Sequence, residues 1–325
     1  MAETQKSSFS LSKYLLIQPV MMRVVVGLIP CLAGAVTFFG LRALVVTAVV
    51  MIAGILTEAA FTIPNNKPVT SAVLVTGLIF SLSLPATVPL WIAAVGIVFA
   101  VVFGKMAFGG FGFNVYNPAM VGRCFVYISF PLALTAGWVN PFEAIGTGFF
   151  SWLPPVDAFT AATPLKLIRS GESVSPAPLF WGNIGGSMGE TSALLIAFGG
   201  AFILYKKAAQ WRLVVSCLIG ALGASLLLFL LKVPGAPDPL TAVLAGSILF
   251  GACFVVTESI SAPKTRPGQW IYGIAIGSLT IVLRLFSNFP EGVMFSVLFM
   301  NTFVPLLDRG VQAYQKRQQP KAGVS

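Results

Sequence analysis

The stretch RLVVSCLIGALGASLLLFLL, residues 212–231, decides the class of fold, because Arg212 is its one charged residue. A helix that crosses a bilayer needs about 20 predominantly apolar residues, and this stretch supplies them. The whole chain has the same character. Of its 325 residues, 57% are hydrophobic and 9% are charged, and the mean hydropathy is +0.90. Since a soluble domain has about 25% charged residues, the composition predicts an all-α integral membrane protein.

Further apolar stretches are separated by segments rich in Pro, Gly and Lys, such as Pro64–Pro68 and Val233–Pro239. We therefore expect about ten transmembrane helices, at residues 22–39, 41–56, 70–86, 88–104, 118–137, 187–205, 212–231, 239–256, 269–286 and 292–308. These divide the chain into an N-terminal segment (1–21), five helices (22–137), a long loop (138–186), five further helices (187–308) and a C-terminal tail (309–325).

The distribution of Lys and Arg predicts the orientation of these helices. If the N-terminus is cytoplasmic, fifteen of the 20 basic residues lie on the cytoplasmic side, and cytoplasmic loops carry such an excess. Both termini are therefore expected in the cytoplasm, and loop 138–186 on the outer face. The fifteen residues are Lys6, Lys13, Arg23, Lys67, Lys105, Arg123, Lys206, Lys207, Arg212, Lys264, Arg266, Arg309, Lys316, Arg317 and Lys321.

The composition also excludes several kinds of site. The chain has no His, which excludes His-ligated haem, His-ligated zinc and a His proton relay within it. Its four Cys lie at least 36 residues apart in apolar segments, so we expect buried thiols and no iron–sulfur site made by this chain alone. The net charge of +10 is spread among the loops, so we expect membrane lipid and no nucleic acid as a partner.

The segment VDAFTAATPL, residues 156–165, is a weakly hydrophobic part of the expected outer loop. Because Thr163 precedes a proline, its backbone is expected to be extended, with its side chain projecting. A helix starting at Pro164 would direct its positive end at a phosphate on Thr163. The alternative is an ordinary helix start, and both interpretations can hold together. The polar residues in and just after the segment are Asp157, Thr160, Thr163, Lys166 and Arg169.

The glycine-rich stretch FGGFGFNVYNPA, residues 108–119, joins the fourth and fifth expected helices. Irregular backbone at membrane depth is tolerated only inside protein or beside water, so one interpretation is a loop that lines a cofactor, quinone or ion path. The other interpretation is a tight turn in which Asn117 and Pro118 begin the fifth helix. The residues alone favour neither.

Three carboxylates, Glu58, Glu258 and Asp308, lie at the cytoplasmic ends of expected helices. An acid within or beside a membrane span is a functional hypothesis by default, here for coupling to ion movement. The alternative is a solvated carboxylate next to a basic neighbour. Those neighbours would be Lys67, Lys264 and Arg309.

Four stretches, in this order along the chain, resemble one family of membrane subunits. They are GGFGFNVYNPAMVGR (109–123), DAFTAAT (157–163), TRPGQWIYG (265–273) and FPEGVMFSVLFMNTFVPLLDR (289–309). The family is shared by the D subunit of the Rnf ion-translocating electron-transport complex and the B subunit of the sodium-pumping NADH:quinone oxidoreductase. DAFTAAT resembles the signature Asp-x-x-(Ser/Thr)-(Gly/Ala)-Ala-Thr, which flavin transferases recognise when they attach FMN to the last Thr.

The resemblance implies that Thr163 carries FMN through a phosphoester bond. It also implies a non-covalent riboflavin, whose position it does not fix. Asp308, in the matching stretch at 289–309, becomes a candidate for ion coupling, beside Glu58 and Glu258, which are candidates as acids at helix ends. The residues expected around the FMN are Asp157, Thr160, Ala162, Pro164, Lys166 and Arg169.

The architecture and partners implied by the resemblance are those of a multi-subunit complex. The ten helices would form two inverted five-helix repeats in the bacterial inner membrane, with the flavin loop outside. A flavin-bearing subunit and iron–sulfur subunits would exchange electrons with this chain, coupled to Na⁺ or H⁺ transport, and a flavin transferase would mature it.

Two alternatives stay open at this point. The chain length resembles that of the Rnf subunit, whereas Trp270–Gly273 resembles the quinone-reductase branch, and we favour the Rnf type. An alternative of another class is a passive channel or small-solute transporter, in which the threonine segment would be an ordinary gate or helix cap and no cofactor would be attached.

Overall fold

The computed structural model describes residues 15–142, 146–153, 163–170, 172, 174–287 and 292–318, and most of these are helical. Two short strands, β1 (Leu15–Leu16) and β2 (Val69–Thr70), pair in parallel. The α-helices of the described part are α1 (Pro19–Phe39), α2 (Arg42–Thr62), α3 (Ala72–Leu82), α4 (Leu90–Gly104), α5 (Pro118–Ser129), α6 (Pro131–Thr135), α7 (Pro164–Arg169), α8 (Pro176–Trp181), α9 (Ala193–Tyr205), α10 (Trp211–Leu230), α11 (Pro239–Leu244), α12 (Ile248–Phe250, continued by a π-helix at Gly251–Val255), α13 (Arg266–Phe286) and α14 (Gly292–Gln318).

Five helices of the described part are long and apolar enough to cross a membrane: α1, α2, α4, α10 and α13. Two further apolar helices, α3 and α9, are shorter. Each of the ten predicted stretches is helical over most of its length, but several are short or interrupted. The prediction of a mainly helical, multi-pass membrane protein is therefore confirmed, and the count of ten spans stays a prediction.

Two of the predicted spans are broken for identifiable reasons. The fifth is two helices, α5 and α6, because Pro131 lacks the amide hydrogen that would continue the first. The eighth is broken at Gly246, whose φ of +68° is left-handed. Arg284 of α13 donates hydrogen bonds to the carbonyls of Ala242 (3.2 Å) and Ala245 (2.9 Å) at this break.

The described part of the predicted loop 138–186 contains short helical segments. It contains the short helices α7 and α8 and a 3-10 turn at Thr147–Phe150. Its first part is tied to the junction of α1 and α2, where the amide of Leu41 donates to the carbonyl of Ser151 at 2.9 Å. Helix α7 begins at Pro164, as the sequence predicts.

Helices α10 and α13 pack along their backbones, because glycines face each other's chain. A side chain at Gly220 would overlap the carbonyl oxygen of Ile274, and one at Gly277 would overlap the carbonyl oxygen of Cys217. Helices α1 and α9 meet in the same way where Gly199 faces α1. Small residues permit such close approach of membrane helices.

The helix contacts follow one pattern in both halves of the chain. In the first half α2 packs on α3 and α4, and α4 packs on α5. In the second half α10 packs on α11 and α13, and α13 packs on α14. Between the halves, the first helices (α1 and α9) and the last helices (α5 and α14) contact each other.

Candidate functional site

Thr163 stands immediately before α7, with φ −64° and ψ 150°. This is the extended backbone predicted from the following proline. Its carbonyl oxygen accepts hydrogen bonds from the amides of Lys166 (2.8 Å) and Leu167 (3.1 Å). Its side chain makes no capping hydrogen bond to the helix. The hydroxyl of this half-buried residue is thus not used to cap α7, and Thr163 lines a cavity.

The cavity beside Thr163, called here the Thr163 cavity, has a volume of about 270 Å³. Its wall includes two aromatic side chains, Tyr127 and Trp138, and the small residues at 185–187. Lys166 also contributes to the wall, and its Nζ donates to the carbonyl of Thr135 at 3.4 Å. The cavity therefore combines a hydroxyl, a cation, aromatic faces and accessible backbone.

These residues fit an FMN group in kind. Aromatic walls and a few polar groups are typical of cofactor sites, and consecutive glycines at 185 and 186 allow a flat ring to lie close to the backbone. The Lys166 ammonium provides a positive charge opposite a phosphate. Lys166 is exposed, so water screens this charge.

The structure places part of the predicted flavin site. Thr163, Pro164 and Lys166 line the Thr163 cavity. Arg169 is the last residue of α7. The remaining predicted residues lie outside the described part of the chain and are Asp157, Thr160 and Ala162.

Glu190, which no sequence motif singles out, also lines the Thr163 cavity. Its carboxylate forms an ion pair with Arg123 of α5 at 2.9 Å, and the two side chains are only 8% and 3% exposed. Arg123 is one of the fifteen basic residues expected on the cytoplasmic side, but it is buried within a helix and therefore carries no information on orientation. The sequence feature that could have indicated this ion pair is the position of Arg123 within an apolar stretch.

Glu58 is fully buried at the end of α2. Its carboxylate accepts hydrogen bonds from the amide (3.0 Å) and hydroxyl (2.6 Å) of Thr70 and from Nζ of Lys105 (2.6 Å). The alternative of a solvated carboxylate beside Lys67 is therefore wrong. Glu58 and Lys105 compensate each other's charge inside the protein, where water cannot do so.

Glu258 lies just after the π-helix and accepts hydrogen bonds from Asn114 (3.0 Å) and Ser261 (2.6 Å). The residue keeps part of its surface accessible, but burial of its carboxyl raises the pKa of Glu258 to about 7, with these hydrogen bonds and nearby lysines opposing the shift. Glu258, Lys105 and Asn114 line a cavity of about 30 Å³, called here the Glu258 cavity. That volume is enough for a water molecule.

The structure confirms one interpretation of the glycine-rich stretch 108–119, the helix start, whereas a cofactor, quinone or ion path lined by this stretch stays a prediction. Asn117 caps α5, since its side chain accepts a hydrogen bond from the amide of Met120 at 3.3 Å. Asn114 and Asn117 also line the Glu258 cavity. The stretch is thus both a helix start and the wall of a polar site.

Asp308 holds the start of α13. Its carboxylate accepts hydrogen bonds from the amides of Lys264 (2.9 Å) and Thr265 (3.0 Å) and from the hydroxyl of Thr265 (2.6 Å). These contacts join α14 to α13 and do not involve the predicted neighbour Arg309. They give Asp308 a structural role that is independent of any part in ion movement.

Several known proteins are similar to this chain. The D subunit of the Na⁺-translocating ferredoxin:NAD⁺ oxidoreductase complex of Acetobacterium woodii is 37% identical over 299 residues, which cover 89% of this chain and 87% of that protein. The D subunit of the proton-translocating ferredoxin:NAD⁺ oxidoreductase complex of Clostridium ljungdahlii is 33% identical over 316 residues, which cover 91% and 90%.

A second group of relatives is equally similar but longer. The B subunit of the Na⁺-translocating NADH-quinone reductase of Ectopseudomonas mendocina is 39% identical over 288 residues, which cover 84% of this chain and 68% of that protein. Both groups resemble this chain over most of its length, and one family model matches its residues 4–316. The chain therefore belongs to the NQR2, RnfD, RnfE family.

Proposed function

We propose that this chain is a membrane subunit of a redox-driven ion-translocating electron-transport complex, equivalent to the D subunit of Rnf complexes. The two relatives from ferredoxin:NAD⁺ oxidoreductase complexes match over 87% and 90% of their length, whereas the relative from the quinone reductase matches over 68%. We favour the ferredoxin:NAD⁺ type because its relatives are matched over a larger share of their length, and the quinone-reductase type is the alternative. Ferredoxin and NAD⁺ would be bound by partner subunits.

We propose Thr163 as the attachment point of a covalent FMN. The observation that carries this proposal is the Thr163 side chain, which makes no capping bond and borders a cavity with aromatic walls and Lys166. FMN, when bound, would supply electron transfer. The chain would contribute a fixed position for the ring, a counter-charge for the phosphate and limited access for water.

The names of two relatives state which ion each of their complexes transports. One relative is named as sodium-translocating and another as proton-translocating, so we propose Na⁺ or H⁺ as the coupling ion of this chain. Glu58 and Glu258 are the candidate coupling residues that this structure supports best, because both lie in a shared polar region around Lys105. Asp308 is a weaker candidate, since backbone amides satisfy its carboxylate.

We propose ten spans in two inverted five-helix repeats. The matching helix contacts in the two halves support this, as do the contacts of α1 with α9 and of α5 with α14. Those contacts join equivalent helices, as a pseudo-twofold axis requires. We place both termini in the cytoplasm and the Thr163 segment on the outer face of the inner membrane, on the bias of the remaining exposed basic residues.

The proposal is tested by ion uptake in inverted membrane vesicles that contain the whole complex. Reduced ferredoxin with NAD⁺ should drive uptake of ²²Na⁺, or acidification reported by a pH dye, and vesicles from which this chain is deleted should show neither. Uptake driven only by NADH and quinone would establish the quinone-reductase alternative. Cation or solute movement that needs no electron donor would contradict the proposal and indicate a passive channel.

A further inference from the structure

Three cavities follow one another along α5. Pro118 lines the Glu258 cavity, Met120 and Arg123 line a cavity of about 10 Å³, called here the Arg123 cavity, and Tyr127 lines the Thr163 cavity. An α-helix rises about 1.5 Å per residue, so Tyr127 lies about 13.5 Å along the axis from Pro118. The three cavities thus form a file along the helix axis.

A second element borders the same three cavities from the other half of the chain. Ser247 lines the Thr163 cavity, Phe250 and Val255 line the Arg123 cavity, and Glu258 lines the Glu258 cavity. This element meets the cavities in the reverse chain order to α5, so both elements place the Arg123 cavity between the other two. The file lies between the two halves, where transporters with repeated halves place their binding sites.

The Arg123–Glu190 ion pair stands at the junction of two of these cavities. Glu190 lines both the Thr163 cavity and the Arg123 cavity, and Arg123 lines the latter. The guanidinium also donates a hydrogen bond to the hydroxyl of Ser187 at 3.4 Å. Anything that moves along the file between these cavities passes this pair.

The electrostatics of the pair differ from those of a surface ion pair. Both side chains are nearly buried, so the two charges compensate each other where little water reaches them. A carboxylate at a narrow point attracts a cation, whereas a fixed guanidinium repels one. As long as the pair is closed, the passage is electrically neutral and does not attract a cation.

We propose that Glu190 is a cation-binding residue on this path, and that Arg123 is the resident counter-ion which a moving cation displaces. The ligand is a small monovalent cation, either a sodium ion or a proton. When the cation binds the carboxylate, the guanidinium retains the Ser187 hydroxyl as an acceptor. The inference rests on the proposed function for the force that drives the cation. The repulsion by Arg123 that opposes passive cation entry does not depend on electron transfer.

The competing explanation is that the pair only fastens α5 to the segment before α9. Loss of either charge would then have the same effect, which is lower stability. A cation site predicts opposite effects. Arg123→Gln leaves a carboxylate on the path without the repelling charge, so passive cation entry should rise. Glu190→Gln removes the cation ligand and keeps the repelling charge, so passive entry should not rise and driven uptake should be lost.

The experiment uses the purified whole complex in proteoliposomes, without an electron donor, under a potassium diffusion potential that is negative inside. Uptake of ²²Na⁺ and internal acidification are measured in parallel, which distinguishes sodium from protons. Arg123→Gln is expected to raise one of the two rates several-fold, and Glu190→Gln neither. Arg42→Gln is the matched control, because Arg42 bonds the carbonyls of Ala86, Thr87 and Val88 and borders none of the three cavities described.

Conservative variants keep the inference testable if the neutral ones fail to assemble. Glu190→Asp is expected to raise the KM for Na⁺ several-fold, or to shift the pH profile of a proton pump, at an unchanged maximal rate. Arg123→Lys should show no leak. Equal passive rates in wild type and both neutral variants, or an unaltered cation KM and pH profile in Glu190→Asp, would overturn the inference.

The two proposals fail in different ways. A leak in Arg123→Gln, in a complex whose wild type shows no redox-driven uptake, would support the cation site and contradict the proposed function. Redox-driven uptake in wild type with no difference among the variants would support the proposed function and overturn the cation site.

Discussion

Nζ of Lys105 lies 2.6 Å from Oε2 of Glu58, and neither side chain is more than 3% exposed. Such a pair gains little over an apolar pair of the same shape, but breaking it leaves one charge buried without compensation, which costs about 3–5 kcal/mol. The Thr70 hydroxyl donates a hydrogen bond to Glu58 and accepts one from Lys105. Breaking the ion pair therefore also weakens the contacts of strand β2 and of the end of α4. The pair therefore ties α2, β2 and the end of α4 together.

Lys105→Met is predicted to lower the free energy of unfolding by about 3–5 kcal/mol, because it leaves the Glu58 carboxylate buried alone. Denaturant or thermal unfolding of the purified protein in detergent measures this. Lys67→Met is the control, since Lys67 is exposed and its loss should change stability by less than about 0.5 kcal/mol. Equal effects of the two variants would mean that the buried pair does not stabilise the bundle.

Glu258 provides a pH dependence with a definite sign. Its folded pKa of about 7 lies above the ordinary value of 4.5, so the folded state holds the proton more tightly than the unfolded state. Its contribution to stability is fully present below about pH 4.5 and is lost as pH rises through about 7. Glu258→Gln should therefore flatten the fall of the melting temperature between those values. A fall of equal steepness in both proteins would assign it to other groups.

The conformation of a single residue is predictable from its sequence neighbours. Its partners in the folded protein are not, because they come from distant parts of the chain. The proline after Thr163 predicted its extended backbone, whereas the coupling role predicted for Glu58 stays a prediction. The partners Lys105 and Arg123 were not predictable, because they lie 47 and 67 residues from the acids that they bind. Periodicity carries no information on such distant contacts.

Contact between helix backbones determines how closely helices α10 and α13 pack. Helix α10 offers an internal comparison. A side chain at Gly220 would overlap the backbone of α13, whereas nothing lies within 4 Å of the position at Gly223. The two glycines are three residues apart in the same helix, so they differ in packing and not in helix propensity.

Gly220→Ala is predicted to lower the free energy of unfolding by about 1–3 kcal/mol, because the added methyl group separates α10 from α13. Gly223→Ala should be neutral or stabilising by up to about 1 kcal/mol, since alanine favours a helix over glycine. Paired melting curves of the two variants in the same detergent decide this. A loss that is equal at both positions would show that close packing at Gly220 is not what holds these helices together.

Helix positions were largely predictable from apolar runs and Pro or Gly punctuation, but helix continuity was not. A run of apolar residues between 239 and 256 is long enough for one span, yet Gly246 breaks it and Arg284 satisfies the exposed carbonyls. An arginine 38 residues further along the chain can stabilise such a break, and the hydrophobic pattern does not reveal it. Both interrupted elements border the three cavities.

Three cavities connect polar residues from both halves of the molecule. The Thr163 cavity, the Arg123 cavity and the Glu258 cavity form a file between the two halves, and the buried charges of Arg123, Glu190 and Lys105 border them. The membrane class and family could be inferred from the sequence. The file could not, because it arises from contacts between halves that are distant in the chain.

The proposed covalent flavin on Thr163 is tested by expressing the chain together with a flavin transferase. We predict flavin fluorescence on the protein band of a denaturing gel and an intact mass raised by FMN minus water. Thr163→Ala should abolish both while the protein still inserts into the membrane. Absence of fluorescence and added mass in the wild type, or their persistence in Thr163→Ala, would contradict the claim.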